Sequence, residues 1–346
     1  MKKTDRETGP STGESGVILR DQYEHAGATD LVLDDGLVLE LTRRYAPGAR
    51  AVDSVDETGG EARAYMVAAA EGRLVVKTQR PHRRRVRTSL EREALFLRHQ
   101  AALAGNPLPV PRVLGHGRAT VPAKGAAGGQ VDAEIEYTVM TRVPGDAMQR
   151  VPIDGAARRA ALGELGAVLR RVHGASQEPL LSSGLFPGDR APGDLRLRLE
   201  APAMEAARKL SATPAAALLP ESPEALVRRA VEELPEDTTR VALHSNPSAM
   251  HTFVDPDNGA FTGLIDFGDA YLSHPALDLR RWDRHADRVA VLEGYRRAGP
   301  VDAVFMRVWR VACLLAELTA LAAAPADAGG AKERATVIQS LMKERA

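Results

Sequence analysis

Residues 241–282 read VALHSNPSAMHTFVDPDNGAFTGLIDFGDAYLSHPALDLRRW. The stretch opens on Val241, Ala242 and Leu243, a short apolar run that stops at His244. Ser245, Asn246 and Pro247 cannot continue a regular strand. Thr252–Val254 and Gly263–Ile265 are two more β-prone runs, and the five residues from Asp255 to Gly259 end in Asn-Gly, a strong hairpin signal. The second run leads directly into Asp266-Phe267-Gly268. A loop, a hairpin and a second loop therefore bring residues 244–251 and Asp266 to one place.

That order is the one kinases use for phosphoryl transfer. A loop H-x-D-x-x-x-x-N supplies a base Asp and a metal-ligating Asn, and a D-F-G then supplies the main metal carboxylate. His244 fits the first position and Asp266-Phe267-Gly268 fits the last part letter for letter. Asn246 stands where the Asp is expected, and His251 where the Asn is expected. A lone D-F-G arises often by chance; the ordered set is more specific.

The chain has 346 residues, enough for one bilobal unit or two ordinary domains. Apolar residues make up 44% and charged residues 27%, so a core can form. Lys plus Arg and Asp plus Glu number 46 each, which gives bulk charge no pull toward nucleic acid or a membrane surface. The single Cys313 lies in an apolar helical stretch and reads as core. The first residues lack the apolar segment of a signal peptide, and no apolar run reaches 18 residues, so a cytoplasmic protein is expected, as monomer or homodimer, with no nucleic-acid or membrane partner.

Along the chain, residues 1–28 are polar and rich in Gly, Ser and Thr, a disordered or mobile tail. Residues 36–46 read as an amphipathic helix stopped by Pro47-Gly48. Residues 64–68 and 73–77 are strands, preceded by Gly59 and Gly60, where backbone amides can approach a phosphate. Lys77 ends the second strand. Glu93 follows 16 residues later on a helix that starts near Ser89, and is preferred to Glu91 as a partner for Lys77 because it sits on the apolar side. Residues 80–87 form the densest basic run, either a solvated loop or an electropositive rim. Strands follow near 113 and at 134–140, with a Gly/Ala turn at 124–129, and the lobe boundary is placed at 143/144. This divides the chain into a nucleotide-binding lobe, 29–143, and a helical lobe, 144–346. Helices are expected at 156–173, 196–210, 223–234, 285–298, 301–323 and 331–345, with a Pro/Gly-rich loop at 175–195. His173, at the end of the first of these, reads as a cap for helix carbonyls.

The chain resembles the aminoglycoside phosphotransferase/choline-kinase-like family, the small-molecule branch of the protein-kinase fold. The residues carrying the likeness are Gly59-Gly60, Lys77, Glu93, residues 108–113, 139–145, His173, His244, residues 263–270 and residues 274–279. The resemblance implies an α+β bilobal fold, with a small antiparallel-sheet lobe and a larger helical one. It implies ATP or GTP as donor, Mg²⁺ or Mn²⁺ as metal, and a small-molecule hydroxyl as acceptor, as in antibiotics, sugars or amino-acid derivatives. Carried over, Lys77 held by Glu93 binds nucleotide phosphates, Asp266 holds the metal with His251 beside it, Asp278 braces the catalytic loop, Asp269 lies toward the substrate, and adenine meets the backbone near Met140–Arg142.

Two residues depart from the pattern. An Asn amide has no site that takes a proton at neutral pH, and a positioned base is worth roughly 10²–10⁴ in rate. Imidazole suits Mn²⁺ better than the hard Mg²⁺. Three readings follow: a phosphotransferase with an altered loop, a nucleotide-binding pseudokinase, and a kinase-fold enzyme diverted to other nucleotide chemistry.

Overall fold

The computed structural model describes residues 17, 23–86, 88–103, 107–124, 130–324 and 330–344. Helix α1 (Asp35–Arg43) starts where the Asp34 carboxylate accepts the Leu37 N–H, a side-chain cap for one of the orphan amides of the first turn. Strands β1 (Ala49–Asp56), β2 (Ala62–Ala69), β3 (Gly72–Gln79), β4 (Val113–Lys124) and β5 (Gln130–Thr141) form an antiparallel sheet of order β1-β2-β3-β5-β4. Side chains alternate across such a sheet. Tyr65, Val67, Leu74, Val76 and Val139 face one side and form a core with Val38 and Leu41 of α1. Lys77 pairs with Ala64 in register and faces the other side, toward the second lobe. Helix α2 (Leu90–Ala102) is capped by Ser89 and lies between sheet and second lobe.

The second lobe is helical: α3 (Gly155–Gly174), α4 (Glu178–Leu181), α5 (Asp194–Ser211), α6 (Pro223–Glu232), α7 (His285–Arg297), α8 (Ala303–Ala323) and α9 (Gly330–Lys343). Its apolar cluster extends into the first lobe through Phe96, Leu97 and Met140. Two small sheets sit on this cluster. Strands β6 (Asp146–Ala147), β8 (Thr252–Val254) and β9 (Phe261–Leu264) make one; β7 (Val241–Leu243) and β10 (Tyr271–Ser273) make the other. The β8–β9 turn uses Gly259 in the left-handed region, φ 72°, as an Asn-Gly turn requires. Because β7 ends at 243 and β9 at 264, the loops that follow them open side by side.

The expected helices lie close to their bounds, whereas the one-turn α4 falls inside the expected loop at 175–195. Strand β1 was not expected; it is mostly exposed, and its apolar residues, Ala49, Ala51, Val52 and Val55, do not keep a regular alternation. Most of the expected tail lies outside the described residues, as do Arg87 and residues 125–129 of the expected turn. Within that tail, Glu24 N–H donates to the Arg84 carbonyl at 2.9 Å, and Tyr23 bridges Arg85. Cys313 is buried, and burial pushes its thiol up to about 12, which leaves it unreactive. No helix among the described residues is long and apolar enough to cross a membrane.

Helices α3 and α7 cross with almost no space between backbones. A Cβ at Gly294 would run into the Gly163 carbonyl, whereas one at Gly163 would meet only the flexible end of Arg297. Overpacking costs about 1–3 kcal/mol where side chains can give way, and backbone cannot. Gly294→Ala is expected to lower the free energy of urea unfolding by about 3 kcal/mol, and Gly163→Ala to leave it within about 1 kcal/mol. Equal effects of the two would show that the crossing is not this tight.

Candidate active site

The loop after β7 is held from below by one carboxylate. Asp278 is fully buried in a short 3₁₀ segment, Pro275–Arg280, and accepts the His244 and Ser245 amides at 2.8 and 2.9 Å. Its Oδ2 also meets His173 Nε2 at 3.0 Å, and His173 Nδ1 contacts the Tyr295 hydroxyl at 3.1 Å. His173 therefore supports Asp278; the expected cap on helix carbonyls is not what it does. Burial tends to raise the Asp278 pKa, but the His173 hydrogen bond and the amides leave it lowered. Ser245 takes φ 82°, and Arg281 Nε clamps its carbonyl at 2.6 Å. Left-handed backbone at a non-glycine residue costs roughly 1–2 kcal/mol, so these contacts hold a turn the chain would not keep alone.

The first lobe contributes Lys77. Its Nζ lies 2.8 and 3.0 Å from the Glu93 oxygens and 2.7 Å from Asp266 Oδ1. Glu93 is sealed, with its side chain 1% exposed, while that of Asp266 is 42% exposed toward the cleft. Burial works against the Lys77 charge, but Asp266 and Glu93 outweigh it and raise its pKa. Burial likewise opposes the Asp266 charge, but Lys77 and His251 hold its carboxyl well below the usual range. For Glu93 burial dominates and its pKa is raised, only partly offset by Lys77.

The D-F-G segment is fixed to α2. Glu93 Oε1 accepts the Phe267 N–H at 3.2 Å, and Arg92 Nη1 donates to the Gly268 carbonyl at 3.2 Å. The Phe267 ring packs on Phe96 and His244, at centroid separations of 4.9 and 4.4 Å. Asp266 itself sits at φ 71°, a conformation Asp tolerates better than most residues.

Two histidines flank Asn246. His244 Nε2 faces the Ile265 carbonyl at 2.8 Å, and its Nδ1 accepts the Asn246 amide at 3.2 Å. This fixes a neutral ring with the proton on Nε2, and burial pushes its pKa down to about 4. His251 Nδ1 lies 2.8 Å from the Asn246 carbonyl, so it donates, and Nε2 is left 3.2 Å from Asp266 Oδ2. The His251 Nε2 and an Asp266 carboxylate oxygen face each other across 3.2 Å, two ligand atoms that a cation can bridge. The half-buried Asn246 side chain has no protein partner among the described residues.

A cleft of about 150 Å³ opens between the lobes. Gly59, Gly60, Lys77, Glu93, His251, Asp266 and Asp269 line it, and His244, Asn246 and Asp278 do not. Met140 is buried, and in register it pairs with Val75 and Val113. The Arg142 N–H is given to the Arg73 carbonyl at 3.0 Å, so an adenine contact at Arg142 falls to its carbonyl. Asp269 lines the cleft, where it accepts the Thr88 hydroxyl at 2.6 Å and lies 3.6 Å from Arg85. The basic run is not an open rim: Arg80 pairs with Asp30, Arg84 with Glu24, and Arg85 with Glu61.

The sequence reading did not select Arg92, Tyr295 or Arg281. Each reaches its partner across elements, and no spacing rule marks such contacts.

Residues 54–309 match the model of the phosphotransferase enzyme family. The chain belongs to this family. No curated protein matches the sequence. Among solved structures, macrolide 2′-phosphotransferase type I superposes with a TM-score of 0.51 at 17% identity, over 91% of this chain and 99% of that one. A thermostable mutant of the aminoglycoside phosphotransferase APH(4)-Ia, in a ternary complex with ADP and hygromycin B, gives 0.52 at 16%, over 89% and 99%. These likenesses establish the phosphotransferase fold, whose two lobes meet at the Lys77–Asp266 cleft.

His274 opens the segment that carries Asp278, its Nδ1 accepting the Ala276 N–H at 3.2 Å. Burial pushes its pKa down to about 4. The folded ring stays neutral while the unfolded one gains a proton below about pH 6.5, so this stability is whole above pH 6.5 and is lost as pH falls toward 4. The slope reaches about 1.4 kcal/mol per pH unit for each such group. In urea unfolding at pH 7, 5.5 and 4.5, His274→Asn is expected to flatten the decline; an unchanged slope would count against it.

Proposed function

We propose that the protein is an ATP-dependent phosphotransferase that moves the terminal phosphoryl group to a hydroxyl of a small molecule. The observation that carries this reading is the closed set Lys77–Glu93–Asp266, which spans both lobes over a cleft. A buried ammonium between two carboxylates is a prepared anion site: a nucleotide phosphate replaces part of the Asp266 contact while Glu93 keeps Lys77 aimed. Gly59 and Gly60 cover the phosphates with backbone, and a Cβ at Gly60 would meet nothing within 4 Å, so there is room for a ligand there.

Asp266 and His251 are the residues that would hold a divalent ion. Among the described residues no group of three His, Cys, Asp or Glu could hold one without help, so its remaining ligands come from nucleotide oxygens and water. When bound, the ion neutralises charge on the phosphates. In the reaction the acceptor oxygen bonds the γ-phosphorus, the bond to the β,γ-bridging oxygen breaks, and ADP leaves. Asn246 orients the hydroxyl through its free amide but takes no proton, so the proton leaves to a phosphoryl oxygen or to water. Catalysis by position and charge tolerates this, because the transition state is loose.

A nucleotide-binding pseudokinase is the second reading, and the amide at 246 is what favours it. Two measurements separate them. Calorimetry with ATP and Mg²⁺ or Mn²⁺ is expected to show binding that Lys77→Met abolishes; no heat with either metal rejects both readings. Asn246→Asp is expected to raise phosphoryl transfer by roughly 10²-fold, the lower end of the value of a positioned base. Normal ATP binding with no transfer by either form favours the pseudokinase.

The imidazole at 251 sets a metal preference. His251→Asn is expected to lower the ratio of Mn²⁺- to Mg²⁺-supported turnover about tenfold, since an amide oxygen suits the harder ion. A ratio that does not move would remove His251 from the metal's ligands.

A further inference from the structure

A second cavity, of about 500 Å³, lies in the helical lobe between α5, α8 and the segment 280–283. It adjoins the catalytic loop. Arg281, on its wall, is the residue that clamps the Ser245 carbonyl, one position before Asn246. Tyr271, also on its wall, pairs with Leu243, one position before His244.

The wall is cationic. It holds Arg198, Arg280, Arg281 and Arg288, and Asp283 is its one acidic side chain. Arg198 is matched by Asp189 at 2.7 Å and lies over the Tyr271 ring, and Arg288 is matched by Glu317 at 2.5 Å. Arg280 and Arg281 have no carboxylate within ion-pair distance among the described residues. Burial pushes Arg280 down to about 10, and the charges of Arg281 and Arg198 add to the fall. Trp282 is 3% exposed on the same wall, and its buried indole N–H has no acceptor. Arg280 is half-buried and Arg281 exposed, so both guanidiniums can be reached from the cavity, and an anionic ligand there supplies the counter-charge that neither has. A guanidinium fork also matches the two oxygens of a carboxylate or phosphate.

We infer that this cavity is the acceptor pocket and that the acceptor carries a carboxylate or phosphate, held by Arg280 and Arg281, with Trp282 on the same wall as a reporter. This rests on the phosphotransferase reading. It sets the chain apart from a site for cationic aminoglycosides such as the hygromycin B bound in a related structure. A polycation would meet like charge here, and Asp283 alone does not reverse it.

The test uses the full chain, saturated with the β,γ-imido analogue of ATP so that the nucleotide site is filled. Trp282 and Trp309 are the two tryptophans, and Trp309→Phe assigns their indole N–H resonances. Sodium acetate and sodium phosphate are titrated separately, with glucose as the neutral control. The expected result is a saturable shift of the Trp282 resonance with at least one anion and none with glucose. The stronger anion identifies the group recognised. Arg280→Gln is expected to weaken the response at least tenfold, and Arg280→Lys, which keeps the charge and guards against misfolding, to weaken it less. No saturable shift, or an equal one in Arg280→Gln, overturns the inference.

A second arm offers ATP and a mixture of hydroxylated anionic, neutral and polyamine compounds, with products read by mass spectrometry. Products from anionic parents support the inference, and products confined to polyamine parents overturn it. Products without an anion response defeat the anion site and leave the phosphotransferase reading. An anion response without any product defeats that reading, and with it the acceptor role.

Discussion

The Lys77 ammonium is the point on which the two lobes agree. It comes from a strand of one lobe, is matched by a carboxylate on α2, and reaches a second carboxylate in a loop of the other lobe. A charge so far from water is tolerable only when its partners are fixed. The structure fixes them twice over. Glu93 also accepts the Phe267 amide, and Arg92, its neighbour on α2, holds the Gly268 carbonyl. Moving α2 would release the cation, the D-F-G backbone and the Phe96–Phe267 packing together.

A second buried charge does the same work for the loop beneath. Asp278 gathers two amides and an imidazole, and the left-handed Ser245 depends on that grip. Asn246 and His251 then project from a frame that needs neither for its own stability, apart from the His251–Asn246 carbonyl contact. This explains how both positions can depart from the usual residues while the site keeps its shape. A phosphotransferase whose framework is intact and whose proton acceptor is missing is a coherent object, because binding and positioning reside in different residues from proton transfer.

Much of this was legible in the chain. Helix period, the Asn-Gly turn and the run into Asp266 are local signals, and they placed the helical lobe and the two loops. The Lys77–Glu93 pair was reachable because a strand end and the next helix are close in sequence. Strand β1 was not legible, since an exposed edge strand buries too little to pattern its sequence. Nor was the fate of Arg80, Arg84 and Arg85: eight letters of mostly basic sequence do not show that Asp30, Glu24 and Glu61 come to meet them.

The sequence by itself nominated the candidate site residues and determined in what order the loops and hairpin present them, because those are matters of local propensity and residue type. The tertiary structure decided which of their hydrogen-bonding groups remain free. It gave the Arg142 amide to the Arg73 carbonyl, Asp269 to Thr88 and Arg85, and His173 to Asp278. It also brought arginines from α5 and from the segment beside the catalytic loop to one cavity wall. Those are outcomes of packing between distant segments, where the partner a polar group finds depends on what the folded core places opposite it.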